Sequence, residues 1–250
     1  MNWHNRYLEQ ASWTRELRTY LFKKAGLSSA RNVLEVGCGT GAILGEGSSQ
    51  KNVHSTQTSF NGLDISRTVL AECRIQAPAA LLTRGDALHL PYPEGTFDIT
   101  YCHFLLLWVN DPQQALSEMK RVTRAQGCVL ALAEPDYSAR VDRPLEISRL
   151  GKQQTESLKR QGADVSIGSR LADMFYKAGL HILETGTIKS LGTGSLTFKD
   201  WENEWEVLEA DLVGIVPGDQ ILKTKQLDEQ AWRRGEHIVN VPTYFAWGQV

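Results

Sequence analysis

Residues 33–41 read VLEVGCGTG, an apolar, β-branched strand that runs straight into three glycines at alternate positions, Gly37, Gly39 and Gly41. Without a Cβ the backbone there can turn sharply and approach a ligand where any side chain would intrude. Loops of this build bind nucleotides. GCGTGA also fits the dinucleotide pattern GxGxxG/A, so the loop alone leaves a nicotinamide enzyme and a nucleoside-binding one both open.

Around this loop lie short apolar segments: Asn32 to Val36, Ser59 to Leu63, Ala80 to Thr83, Phe97 to Cys102 and Cys128 to Ala133. These read as strands, with helical stretches between them. Pro112 to Arg124 is the clearest helix, with Asp111 as N-cap, Pro112 at N1, one apolar face and Gly127 beyond its end. Strand and helix alternation with strands apolar on both faces predicts a parallel sheet with right-handed crossovers. Ahead of the sheet, residues 5–24 read as one amphipathic helix stopped at Gly26. From Gly41 to Asp64 the chain is broken by Gly45, Gly47 and a Ser-, Thr- and Asn-rich run, which predicts only a short helix after the loop.

After Ala133, Pro144 to Arg160 and Ser169 to Lys177 read as helices, His181 to Lys189 as a strand, then two more helical segments. In the first of these Trp201, Trp205, Leu208 and Leu212 share one stripe, suited to a core face or to the wall of a ligand cavity. The terminal VPTYFAWGQV reads as a strand with Pro242 at its start.

The 250 residues, 42% hydrophobic and 22% charged, are enough for one large domain, and no linker or repeat divides them. Twenty-seven basic against 29 acidic residues give a net charge of −2, which argues against a nucleic-acid partner. The four cysteines form no CxxC pair and no metal-ligand spacing with histidine, so no metal site is expected and they read as buried thiols of a reducing compartment. The longest apolar runs, Phe104 to Val109 and Cys128 to Ala133, are too short to span a membrane. The polar N-terminal MNWHNRYLEQ lacks an apolar signal core, so the expected location is the cytoplasm.

Three acids sharpen the loop's reading. Glu35 precedes the first glycine by two residues, Asp64 ends the second strand in GLDIS, and Asp86 follows the third in GDA. At the carboxyl ends of neighbouring parallel strands all three would face one crevice. There Asp64 can accept from both hydroxyls of a ribose, Asp86 from an adenine amino group, and Glu35 would favour a ligand cation.

VLEVGCGTG, GLDIS, GDALHLPYPEGTFD and the strand leading into HFLLLWVNDP, in this order over residues 31–135, resemble the motifs of class I S-adenosylmethionine-dependent methyltransferases, in particular the small-molecule type similar to the ubiquinone and menaquinone biosynthesis enzymes. The resemblance implies an α/β, Rossmann-like, seven-stranded, mostly parallel sheet with helices on both faces. Its last strand, YFAWGQV, would be antiparallel. Residues 1–30 would form an N-terminal lid helix, 31–135 the cofactor-binding core, and 138–180 and 195–236 a helical substrate cover. Gly37, Cys38, Gly39 and Gly41 would lie under the methionine part of S-adenosylmethionine, with Cys38 giving backbone contact. Asp64 would hold the ribose and Ile65 pack on the adenine. Asp86 with Ala87 would read the adenine edge, and His103 would sit beside the sulfonium.

Methyl transfer from a sulfonium needs alignment and exclusion of water, and a base only where the acceptor must lose a proton. His103 is the first candidate for that base and the pair Asp136 and Tyr137 in AEPDY the second; His54, His181 and His237 are assigned no role. Tyr7, on one helical face with Gln10 and Thr14, is expected to close over the cofactor. YCHF stands where nucleic-acid amino methylases carry a DPPY-like element, and a Pro-Cys nucleophile is absent, so the acceptor is expected to be a small molecule. Tyr137, Trp201 and Trp205 point to an apolar or aromatic one. A nicotinamide oxidoreductase and a non-catalytic S-adenosylmethionine-binding protein are the competing readings.

Overall fold

A computed structural model of the chain describes residues 3–49, 58–188 and 197–250. Two helices, α1 (Trp3–Trp13) and α2 (Arg15–Lys24), precede the sheet. Then come β1 (Asn32–Val36), α3 (Ala42–Ser49), β2 (Ser59–Asp64), α4 (Arg67–Gln76), β3 (Leu81–Arg84), β4 (Phe97–Cys102), α5 (Pro112–Val122) and β5 (Thr123–Pro135). β6 (Val141–Arg143), α6 (Leu145–Arg160), α7 (Leu171–Lys177) and β7 (His181–Ile188) follow. The last elements are α8 (Phe198–Leu212), α9 (Gly218–Arg233), β8 (Ile238–Asn240) and β9 (Thr243–Gln249).

Seven strands form one sheet in the order β3-β2-β1-β4-β5-β9-β7, parallel except for β9, which runs antiparallel to both of its neighbours. The inserted antiparallel strand sets this sheet apart from the all-parallel 3-2-1-4-5-6 order of dinucleotide-binding enzymes, and the nicotinamide reading loses its fold. Burial on both faces explains the nearly continuous apolar character of β1, β4 and β5. Leu34, Val36 and Val129 pack with Leu116 and Met119 of α5 and Phe175 of α7 on one side. Val33, Ile99 and Leu130 pack with Leu21 and Leu44 on the other. A third cluster, built from Ile147 and Leu150 of α6 and Trp201, Trp205, Leu208 and Leu212 of α8, forms the cover.

Four departures from the sequence reading have physical causes. The single N-terminal helix is two, because Thr14 leaves helical geometry and its hydroxyl bonds the Ala11 carbonyl at 3.2 Å. The helix from Pro112 stops at Val122: Thr123 turns extended, begins β5 and pairs its hydroxyl with Thr100 at 2.7 Å. The third strand lies one residue later than read, at Leu81–Arg84. The small β6–β8 ladder has three residues per strand, too few for any period to show. The short helix after the glycine loop is present as α3, eight residues long, and Gly45 there has a packing reason, since a Cβ would stand 2.8 Å from the Gln76 carbonyl oxygen of α4. Among the described residues no helix is long and apolar enough to cross a membrane.

Gly168, in the turn before α7, packs directly on the end of β5: a Cβ would lie 2.6 Å from the Glu134 carbonyl oxygen and 3.0 Å from the Pro135 carbonyl carbon, both backbone atoms that cannot swing away. Gly168→Ala is therefore expected to lower stability by about 1–3 kcal/mol, read as a fall in the urea midpoint at unchanged slope.

Candidate active site

The carboxyl ends of β1, β2, β3, β4 and β5 meet at one edge of the sheet, around the β1–β4 junction where the strand order reverses. Gly37, Gly39 and Gly41 all have positive φ, +73°, +53° and +84°, so the loop needs glycine at each alternate position. Its amides are largely spent inside the fold: Gly37 and Cys38 both donate to the Leu63 carbonyl, Gly41 donates to Cys38, and Gly39 donates to the Asp64 carboxylate at 3.0 Å. The Cys38 N–H serves β2, and its thiol lies buried 4.0 Å from Cys73. What the loop offers is room. A Cβ on Gly39 would point at the ring of Tyr7 3.7 Å away, so α1 lies across the mouth of the loop. His4 ties the same helix to Thr40 with a 2.8 Å hydrogen bond.

Asp64 accepts from Gly39 through one oxygen and from Ser66 N–H at 2.9 Å through the other, which fixes its carboxylate at the end of β2 with lone pairs to spare. Ile65 beside it is 64% exposed, an apolar side chain facing solvent at the crevice rim. Asp86 is exposed in the turn after β3, held by Leu88 N–H at 2.9 Å, and Ala87 is buried beneath it. These four residues stand on adjacent strand ends, as the sequence placed them.

Glu35 points to the other face of β1 and is buried, accepting from the Tyr101 hydroxyl at 3.0 Å. Burial pushes its carboxyl up to about 8, against the pull of the Tyr101 hydrogen bond, so the folded protein holds a proton there at neutral pH. A cation brought close would ionise it.

His103 leaves β4 into a tight turn. Burial, with the nearby Arg18 guanidinium, pushes its imidazole down to about 3, which keeps the ring neutral. Its Nε2 shares a 3.1 Å hydrogen bond with the Thr14 hydroxyl at the α1–α2 break, and Arg18 donates to the same oxygen and to the Ala11 carbonyl. Arg18 is itself paired with Glu46 of α3. Phe104, edge-on to His103 with centroids 4.7 Å apart, has a φ of +51°, an uncommon strain for a bulky residue. The buried carboxylate of Glu134 at the end of β5 imposes that turn, accepting from the amides of Leu105, Leu106 and Leu107 at 3.1, 3.0 and 3.3 Å.

Beside this turn opens a cavity of about 180 Å³ between α1, α6, α8 and β8. Its walls include Trp13, Thr14, Phe104, Tyr137, Trp205 and Leu208, with Arg140, Glu204 and His237 among the polar ones. Trp205 and Leu208 thus serve both the core cluster and the cavity, whereas Trp201 belongs to the core. Asp136 is reassigned by its bonding: one oxygen takes Ser138 N–H, Ser138 hydroxyl and Ala139 N–H, the other Ser169 N–H at 3.3 Å. Despite burial, those hydrogen bonds hold it below the usual carboxylate range, so it caps a turn and is a poor base. His237, assigned no role from sequence, lines the cavity; His54 lies outside the described residues, and His181 is exposed at the start of β7. Thr14 was read on the covering face but not as the partner of His103, 89 residues away, and Arg18 and Glu134 were missed because the contacts to Glu46 and Leu106 that give them roles each cross 28 residues of chain.

Against known proteins, residues 34–131 match the family model described as a methyltransferase domain. The chain is 32% identical over 185 residues to a 37.1 kDa protein of transposon TN4556 from Streptomyces fradiae, covering 70% of this chain and 52% of that one. It is 34% identical over 132 residues to the demethylmenaquinone methyltransferase of Shouchella clausii, covering 50% and 52%. Geranyl diphosphate C-methyltransferase from Streptomyces coelicolor, solved with Mg2+, geranyl diphosphate and S-adenosyl-L-homocysteine, superposes with a TM-score of 0.58 at 13% identity, covering 94% of this chain and 78% of that one. The chain spans about half the length of most of the curated relatives it matches. The family match is confined to residues 34–131, and the sheet has the seven-stranded Rossmann-like fold of the methyltransferase structures it superposes on.

Because Glu35 keeps its proton in the fold up to about pH 8 and an unfolded glutamate loses it near 4.5, unfolding releases a proton between those values. Stability contributed by this site is full below about pH 4.5 and declines as pH rises to 8. Glu35→Gln should flatten that part of the stability profile, measured by urea unfolding at pH 5, 6, 7 and 8 without ligand.

Proposed function

We propose that this protein transfers the methyl group of S-adenosylmethionine to a small molecule bound in the cavity between α1, α6 and α8. The observation that carries the reading is the meeting of two spaces at one turn: the glycine-loop crevice and the cavity share the His103–Phe104 turn and the α1 helix that lies over both. The residues fit the cofactor. Gly39 leaves a cradle that a side chain would fill, fixed Asp64 presents acceptors suited to ribose hydroxyls, exposed Ile65 offers an apolar plate to the adenine, and Asp86 with Ala87 stands at its edge. When bound, the sulfonium supplies an electrophilic methyl carbon.

The chain's own work is alignment and exclusion of water. Glu35, buried and protonated, would release its proton to solvent if the cofactor's ammonium came within reach, and the resulting ion pair would favour binding. Neutral His103, its imidazole pushed down to about 3 by burial and by Arg18, is a weak base, so its part is to shape the reaction space, with Thr14 and Arg18 holding the ring in place. Tyr7, His4 and Thr14 make α1 and α2 a cover over the reaction space, and Tyr137, Trp13 and Phe104 favour an apolar or aromatic acceptor.

Asp64→Ala should weaken S-adenosylhomocysteine binding by about 1.5–3 kcal/mol at unchanged fold. Calorimetric titration tests it; an unchanged affinity would remove the ribose role and with it the nucleoside reading. In hydrogen exchange, amides of residues 3–20 should gain protection on adding S-adenosylhomocysteine, comparably to residues 35–41. Response confined to 35–41, 64–66 and 86–87 would make α1 a passive cover and take Tyr7 out of the site.

A further inference from the structure

The polar wall of the acceptor cavity carries a chain of three charged groups. Asp228 of α9 is fully buried; its Oδ2 accepts from the indole N–H of both Trp201 and Trp205 at 2.7 Å, and its Oδ1 lies 2.8 Å from His237 Nδ1. His237 Nε2 lies 3.0 Å from Glu204 Oε2 on α8. Against the pull of burial, the two carboxylates push the imidazole up to about 9, so both ring nitrogens carry protons and both donate. One cation between two anions leaves a single negative charge. Asp228 is sealed away with both oxygens engaged, so that charge faces the cavity on Glu204, whose side chain is 24% exposed.

The rest of the lining does not cancel it. Arg140 is tied to Asp142 at 2.6 Å and also donates to Gln154, so its guanidinium is matched already. Lys225 pairs with Glu209 at 2.8 Å and stands over the Trp201 and Trp205 rings, outside the lining. Glu9 and Asp200 also line the cavity, and Lys199 is the cation near Glu9. An anionic ligand would meet like charge beside the apolar walls of Trp13, Phe104, Trp205, Leu208 and Val239. A ligand cation would find a carboxylate held in place beforehand, with no ordering left to do at the moment of binding.

We propose that Glu204, positioned by the buried Asp228–His237 pair, determines acceptor specificity by binding an ammonium group carried on an apolar or aromatic body. Thr14 and Phe104, neighbours of His103, line the same cavity from the α1–α2 break and the turn after β4, whereas Glu204 comes from α8, so the ammonium is the handle and a different atom of the acceptor reaches the methyl. The inference rests on the methyl-transfer reading, and the test separates the two.

The full chain, with and without saturating S-adenosylhomocysteine, is titrated calorimetrically with 2-phenylethylammonium, 2-phenylethanol and 3-phenylpropionate. The ammonium probe should bind about tenfold tighter than the alcohol, the size of one charge-assisted hydrogen bond, and the carboxylate weakest. Glu204→Gln, nearly isosteric, should bring ammonium and alcohol together while leaving alcohol and S-adenosylhomocysteine affinities unchanged; Glu204→Asp should retain a preference for the ammonium. His237→Gln, which removes the cation between the two carboxylates and leaves Glu204 uncompensated, should keep the preference for the ammonium. Equal binding of ammonium and alcohol to the unaltered protein, or a preference that survives in Glu204→Gln, would overturn the assignment. Failure of S-adenosylhomocysteine to bind would instead strike the methyl-transfer reading, and the probe ranking in its absence still decides the role of Glu204.

Discussion

Glu134 is buried where β5 ends, and its carboxylate gathers the amides of Leu105, Leu106 and Leu107 from the turn beyond β4. Three backbone donors directed at one inward group leave that turn little choice of path, and the cost appears as the positive φ of Phe104. The consequences spread to both halves of the site. Leu105 packs where a Cβ on Gly37 would come within 2.6 Å, so the same turn supports the glycine loop from beside. His103, one residue before Phe104, is delivered to Thr14, and Phe104 becomes part of the cavity wall. Burial pushes the Glu134 carboxyl up to about 7 even against the amide bonds, so the anchor is an acid whose charge the fold itself has made expensive.

The site is rich in buried ionisable groups that are satisfied within the protein. Glu35 is met by Tyr101, Arg18 by Thr14, Ala11 and Glu46, Asp136 by Ser138, Ala139 and Ser169, and Asp228 by two indoles and His237. Each such network gives up desolvation energy in exchange for fixed direction. The networks at the strand ends shape the crevice and hold His103, and those on α6, α8 and α9 stiffen a cover whose apolar surface could otherwise repack around any ligand.

The parts of this arrangement legible in the sequence are those written locally. β1 and β4 fall at the residues read as strands, because a buried strand shows its apolar run and a glycine loop shows its spacing without help from distant chain. Asp64, Ile65, Asp86 and Ala87 were legible for the same reason, as residues just past strand ends in a parallel sheet. Glu134 stands in the same AEPDY segment from which Asp136 and Tyr137 are read as candidates, and nothing local distinguishes it. Only the fold shows that Glu134 faces the β4 turn while the oxygens of Asp136 are spent on its own turn and on Ser169. His237 was silent for a related reason: its partners Asp228 and Glu204 lie on two different helices, and no spacing rule joins a β-strand flank to both.

Thr14 unites the two spaces. A helix running unbroken from residue 5 to 24 would have kept its hydroxyl in line with a helical face; the break between α1 and α2 lets it bond the Ala11 carbonyl, His103 and Arg18 at one point. Arg18 then carries the connection to Glu46 of α3, the helix that follows the glycine loop. A shift of α1 would therefore be felt at His103, at the helix behind the loop and, through Trp13 and Gln10, in the cavity wall. Coupling of this sort needs no long pathway, because the three regions touch the same residues. Tyr7 of α1 and Thr14 at the break bring the same covering segment to the glycine loop and to His103.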